Sequence, residues 1–173
     1  MKPTRRKDDR GRREEKSEFD QFILDLARVT RVTKGGKHLS FRACVIIGDR
    51  AGRVGFGVAK GKDVQLAVEK SNRQAKKNII TVPMVKGTIP HAVYSKFKAA
   101  QILLKPAPVG SGIIAGGAVR VVLELAGVSN VSAKILSRTK NKIVLVKATF
   151  EALKGFKHLH ADAKKAAPIE EKK

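Results

Sequence analysis

The sequence predicts an α+β protein made of two small units, and three observations carry that reading. Apolar residues alternate with others over 39–47 (LSFRACVII) and over 53–59 (RVGFGVA), the period-two signature of strands with a buried face. Residues 62–78 (KDVQLAVEKSNRQAKKN) instead place Val64, Ala67, Val68, Ser71 and Ala75 along a narrow helical stripe. Near Pro83 the pattern breaks, and a second set of strand and helix signals begins. The 173 residues suffice for one ordinary domain or two small ones.

Taken in order, residues 1–18 are almost all charged or small and are expected to be a disordered tail. Residues 23–32 (ILDLARVTRV) are rich in β-branched side chains and read as a strand. TKGGK at 33–37 is a turn, because paired glycines permit positive φ. In the next strand Leu39, Phe41, Ala43, Val45 and Ile47 face one way. GDRAG at 48–52 is a hairpin connection. The strand after it puts Val54, Phe56 and Val58 on one face, with Arg53, Gly55, Gly57 and Ala59 on the other. In the following helix, Asp63 suits the first turn and Arg73, Lys76 and Lys77 suit the last. The second unit, 83–154, opens with a hairpin over 89–105, of which QILLK is the surer arm. PAPVGSG at 106–112 is a loop. Residues 113–127 read as a helix whose only charges are Arg120 and Glu124, so it lies in a core or against a partner. NVSAKILS at 130–137 is a strand. Residues 140–156 end as a helix, although the IVLV start also fits a strand. A second tail is expected over 155–173, which places the first unit at 19–82.

Charge narrows the partner. The formal net charge is +22, of which residues 19–81 carry +8 and residues 82–154 carry +9. Self-repulsion on that scale, centred on the folded part, is the footprint of a surface that docks a polyanion. Hydrophobic residues make up 42%, with 7 Phe, 1 Tyr and no Trp, so the core is mainly aliphatic. Cys44 is the lone cysteine, which leaves no internal disulfide and no cysteine-cluster metal site. The N-terminal stretch lacks the apolar centre of a signal peptide, and no apolar run has membrane-spanning length. A reducing cytosol is the expected compartment, with no membrane partner.

The glycine-rich run RVGFGVAKGK at 53–62 invites a phosphate-loop reading, and its spacing rejects it. A Walker loop needs glycine where Phe56 stands and Ser or Thr where Asp63 stands. A dinucleotide fingerprint needs glycine at Lys60. Glycines on one strand face instead let another backbone come close. That backbone is either a packed helix or a sugar–phosphate chain near Arg53 and Lys60, and the sequence leaves both open. GSGIIA at 110–115 matches the glycine pattern, yet no Asp or Glu occurs from Leu125 to Phe150 to serve as its acidic partner. TRVTKGGKH at 30–38 is the stronger binding candidate, because Lys34 and Lys37 flank glycines whose bare amides can face phosphates. The bases Lys70, Arg73, Lys76 and Lys77 read as a solvated helix face. No close acidic pair and no clustered histidines support catalysis, so no catalytic residue, metal site or cofactor is expected.

TRVTKGGKHLSF, IGDRAGRVGFGVAKGKDV, KGTIPH and GSGIIAGGAVRVVLELAG occur in this order. Together they resemble the bacterial-type small-subunit ribosomal protein S five family over about residues 20–153. The resemblance implies a first domain like a double-stranded-RNA-binding fold, with three antiparallel strands and a helix. It implies a second, ribosomal βαβ-type domain. It further implies a structural constituent of the small ribosomal subunit, not an enzyme, in the cytoplasm or on an organellar ribosome. Such a protein binds ribosomal RNA near the messenger entry path, touches the neighbouring proteins S four and S eight, and contributes to assembly and decoding accuracy. Carried over by motif, the RNA-facing loop falls on Lys34, Gly35, Gly36 and Lys37, flanked by Arg28, Thr30, Arg31, Phe41, Arg53 and Phe56. Lys60 joins this set from its place beside the glycine strand. The region facing S four falls on Gly112 and Arg120. Two places depart from the family pattern. LSRTKN at 136–141 lacks the glycine common before the last helix, and Leu39 stands where an aromatic is common. A free-standing RNA chaperone would present the same basic surface, and the sequence alone does not separate the two.

Overall fold

The computed structural model describes residues 18–163, with side chains described through Phe156. The expected N-terminal tail and the far end of the C-terminal one therefore lie outside the described residues. Among the described residues, two four-stranded sheets and three helices make an α+β fold. The first sheet has the order β1 (Asp20–Thr33), β2 (Gly36–Gly48), β3 (Arg53–Gly61), β4 (Ile79–Thr81), all antiparallel. Helix α1 (Val64–Lys77) connects β3 to β4. The fourth strand goes beyond the three expected: three residues directly after a helix show no readable period.

The second sheet has the order β5 (Val93–Phe97), β6 (Ala100–Pro106), β8 (Val131–Ile135), β7 (Ile113–Ile114). Strands β7 and β8 are parallel and joined through α2 (Gly117–Ala126), which makes the βαβ unit. Ile113 and Ile114 are thus strand, not the opening of the helix expected over 113–127. Gly116 is the N-cap of α2, in extended conformation, so the two glycines mark where the helix starts. The last helix, α3 (Lys142–Ala163), takes in IVLV and runs past the 154/155 boundary.

The two units share one apolar core. Ile46, Val54, Ile80 and Val82 from the first half pack with Ile102, Leu104, Val119, Val122, Leu123, Leu153 and Phe156 from the second. Helices α2 and α3 lie between the sheets, and α1 covers the opposite face of the first sheet through Ala43, Val45, Ile47, Ala67 and Ala75. Both faces of that sheet are therefore buried, which explains why β2 is buried without interruption from Ala43 to Gly48. Cys44 is 1% exposed on this strand. Burial, and then the Asp25 carboxylate, push its thiol up to about 11 against the opposing pull of Arg42 and Lys147.

The glycine run finds its close neighbour in α1. A Cβ on Gly57 would sit 2.1 Å from the carbonyl oxygen of Ser71, and one on Gly61 would sit 2.6 Å from the amide of Ala67. The approaching backbone is a helix, and that side of β3 offers no path to a sugar–phosphate chain. Ser71 fastens the contact: its buried hydroxyl donates to the Ala43 carbonyl at 2.9 Å and accepts from the Ala59 amide at 3.0 Å. Ser71→Ala is expected to cost about 1–3 kcal/mol in urea denaturation, because it strands two backbone groups away from water.

A second fastening joins the halves. Helix α2 ends at Gly127, whose φ is +83°, with the Gly127 amide on the Glu124 carbonyl and the Val128 amide on the Leu123 carbonyl. The next two carbonyls, Leu125 and Ala126, accept from the amides of Arg50 and Gly52, each at 3.0 Å. The β2–β3 turn thus completes the C-terminus of α2.

Candidate nucleic-acid interface

Strands β1 and β2 outrun the rest of their sheet. The last β2–β3 pair is Phe41 with Gly61, but β1 and β2 stay paired from Arg28 and Phe41 to Thr33 and Gly36. A two-stranded arm therefore projects beyond β3 and α1. Its tip is the turn Lys34–Gly35, with Gly36 at φ +128° and the Thr33 hydroxyl donating to the Gly36 carbonyl at 3.3 Å. Lys34, Gly35, Gly36 and Lys37 are all exposed.

Pairing register sorts the arm into two faces. Arg28, Thr30, Lys37 and Phe41 share the face that α1 covers farther back, along with Val32 and Leu39. Arg31 lies on the other face with His38 and Ser40, and Lys60 reaches the same face from β3. Val29, Thr30, Arg31, Thr33, His38, Ser40 and Lys60 line a groove of about 580 Å³ there. No Asp or Glu occurs between Asp25 and Asp49. The arm is thus a cationic ribbon with bare glycine amides at its end, suited to phosphate oxygens.

Two of the expected binding residues lie elsewhere. Phe56 points into the shared core and meets Phe150 edge-on, with ring centroids 4.6 Å apart. Arg53 sits at the opposite end of β3, in the β2–β3 turn. Its Nε is 2.6 Å from an Asp49 oxygen, and its guanidinium carbon is 5.0 Å from the Phe19 ring centre. Withdrawal from water pushes the Asp49 carboxyl up, but hydrogen bonds from the Arg53 side chain and the amides of Ala51 and Arg53 outweigh that, and its pKa falls below the ordinary 3.8. The unfolded chain therefore takes up this proton first as pH falls. The turn's contribution is full above about pH 4 and fades as pH drops through the folded value. The stability difference between wild type and Asp49→Asn, measured by thermal melting, is expected to shrink steadily below pH 4.

The second half brings a cation against β1. Lys142, at the start of α3, is 3.5 Å from Asp25 and donates to the Leu24 carbonyl at 3.4 Å. Asp25 also holds Arg42 at 3.3 Å, at an irregularity in the β1–β2 register. The signal was the basic run RTKNK, whose place beside β1 depends on how the two halves pack. In the divergent segment before α3, Ser137 accepts from the Gln101 amide at 3.2 Å and Asn141 from the Ile143 amide at 3.1 Å, so both serve the local fold. Gly112 has φ +66°, and its amide is held by the buried Asn130 side chain at 3.2 Å; Arg120 is exposed on α2. Among the described residues, no group of three or more His, Cys, Asp or Glu is placed to hold a metal, and no helix is long and apolar enough to cross a membrane.

A basic two-sheet α+β fold with a cationic β-arm has the form of a nucleic-acid-binding protein. Residues 19–83 match the model for the ribosomal protein S5 N-terminal domain, and residues 95–166 match that for the ribosomal protein S5 C-terminal domain. The chain belongs to the ribosomal protein S5 family, small-subunit ribosomal proteins that bind ribosomal RNA. Membership implies a structural role on a ribosome, in contact with ribosomal RNA and other ribosomal proteins, in the cytoplasm or an organelle.

Proposed function

We propose that the arm formed by β1 and β2 is the principal ribosomal-RNA contact of this chain. The observation that carries it is the projection of Lys34–Lys37 beyond the rest of the sheet, with no covering element or neighbouring carboxylate among the described residues. Lys34 and Lys37 meet phosphates, the amides of Gly35 and Gly36 approach the RNA backbone, and Arg28, Thr30, Arg31, Phe41 and Lys60 continue the contact toward the body of the protein. Arg53 and Phe56 act indirectly, by fixing the turn and the core from which the arm springs. The role is non-catalytic. The protein stands near the messenger entry path of a cytoplasmic small subunit, beside S four and S eight, and contributes to assembly and decoding accuracy. The exposed Arg120 and the Gly112 loop supply the face toward S four. The two domains meet at 82/83, between β4 and the second unit.

The Lys34→Glu, Lys37→Glu double variant tests this. Both side chains are exposed, so the fold persists, while two charges reverse and the net charge at the tip changes by four units. The variant is expected to be missing from small subunits on sucrose gradients. If about six phosphates are neutralised, wild-type affinity for ribosomal RNA falls on the order of a thousandfold between 50 and 200 mM salt. Normal incorporation of the double variant would refute the assignment.

A further inference from the structure

Among the described residues, one sheet face has no element packed on it. In the second sheet, Val93, Ile102, Leu104 and Ala133 turn toward α2 and α3, and the alternate residues turn away. Tyr94 pairs with Leu103, and Leu103 with Lys134, so these three form one row across the outer face. Lys96 and Lys105 stand in the adjacent rows. Tyr94 is 54% exposed, Leu103 is half-buried, and all three lysines are exposed. None of the four strands contains Asp or Glu. Strand spacing and rise put every one of these lysine positions within about 10 Å of Tyr94.

We infer that this outer face is a second binding surface, for single-stranded RNA, with a base stacked on Tyr94 and phosphates held by Lys96, Lys105 and Lys134. A protein partner is expected to meet an apolar centre depleted of charge, or else to find carboxylates balancing the lysines. Here the ring stands beside the half-buried Leu103 among three lysines, with Ile114 exposed at the far edge of the same face and no carboxylate on the strands to balance the charge, an arrangement that serves stacking plus backbone neutralisation. A duplex is the wrong ligand, because its bases are already stacked, whereas an unpaired strand can lay a base on an open sheet. The surface lies on the second sheet and does not depend on the β1–β2 arm.

The chain supplies its own probe, since Tyr94 is the single tyrosine and there is no tryptophan. Titration of the full chain with a ten-nucleotide oligouridylate is expected to quench tyrosine fluorescence in a saturable way. Tyr94→Ala should weaken binding, followed through a label on the oligonucleotide, on the order of tenfold, while Tyr94→Phe retains affinity. Lys105→Gln with Lys134→Gln should weaken binding and reduce the salt dependence, whose wild-type log–log slope is about −2 for three phosphates on a single strand. Thermal melting checks that each variant folds. The Lys34→Glu, Lys37→Glu protein should still show the quenching, which separates this surface from the arm. Binding of the oligonucleotide without quenching places it elsewhere and overturns the inference. Equal quenching by a polyglutamate peptide, or by a duplex of the same length, also overturns it. So does a purified ribosomal protein that covers Tyr94 when the oligonucleotide does not.

Discussion

Gly57→Ala is expected to detach α1 from the first sheet, with a loss of at least about 3 kcal/mol in urea denaturation. The added methyl would lie 2.1 Å from the Ser71 carbonyl oxygen, 2.7 Å from the Ala75 amide and 3.0 Å from the Ser71 carbonyl carbon. All three obstacles are helix backbone, which cannot swing aside as a side chain can. The helix must move away as a body. Ser71 then loses its bonds to Ala43 and Ala59, and the packing of Ala67 and Ala75 on the sheet opens. Gly35→Ala is the matched control, because nothing lies within 4 Å of a Cβ there. Its effect on stability should stay within about 0.5 kcal/mol. If Gly57→Ala melts like wild type, the close packing of α1 on β3 is wrong.

Residues 18–83 expressed alone are expected not to reach a cooperatively folded state. Cutting there strips the second unit from Ile46, Val54, Ile80 and Val82, all of which are at most 8% exposed in the whole chain. Returning four such side chains to water costs roughly 1.5–3 kcal/mol each, a sum of the same order as the entire stability of a small domain. The β2–β3 turn loses the Leu125 and Ala126 carbonyls at the same stroke. The excised fragment should keep secondary structure by far-ultraviolet circular dichroism and bind a dye for exposed apolar surface, without a sharp thermal transition. A sharp two-state melt near that of the full chain would show that the shared core contributes little. This core also qualifies the division at 82/83: two sheets and two family domains are present, but the apolar interior runs through both.

The long periodic elements were legible in the sequence because their patterns are set locally. Strands β2 and β3 carry apolar residues at every second position, though β2 is apolar on both faces from Ala43 to Ile47, and α1 shows its narrow stripe of Ala67, Ser71 and Ala75. The short strands were not legible. Strands β4 and β7 have three and two residues, and their pairing is decided by neighbours far along the chain. The far part of α3, residues 155–163, was read with the Lys-, Ala- and Glu-rich end of the chain as a tail, yet its own Leu, Lys and Ala are good helix formers. In the candidate site, the KGGK turn announced itself through its glycines and its charge. The surroundings of Phe56, a residue carried over by motif, were not legible for a different reason. Alternation shows that Val54 and Phe56 share a face, but not that α2 and α3 lie against it. Arg53 was carried over by motif, and its ion pair with Asp49 depends on a turn geometry that a motif does not display.

The bonds from the Arg50 and Gly52 amides to the end of α2 have a mechanical consequence. Strand β2 runs without a break from Gly48, beside that anchorage, to Gly36 at the far tip. At about 3.4 Å per residue this is a lever roughly 40 Å long, braced by β3 and α1 as far as Phe41 and standing free beyond it, so that it tilts together with its sheet. A tilt of about 5° at the anchorage would sweep the tip through about 3–4 Å, more than the reach of a hydrogen bond. The aim of Lys34 and Lys37 is therefore governed by how firmly one helix terminus grips one hairpin corner, on the side of the molecule remote from the lysines themselves.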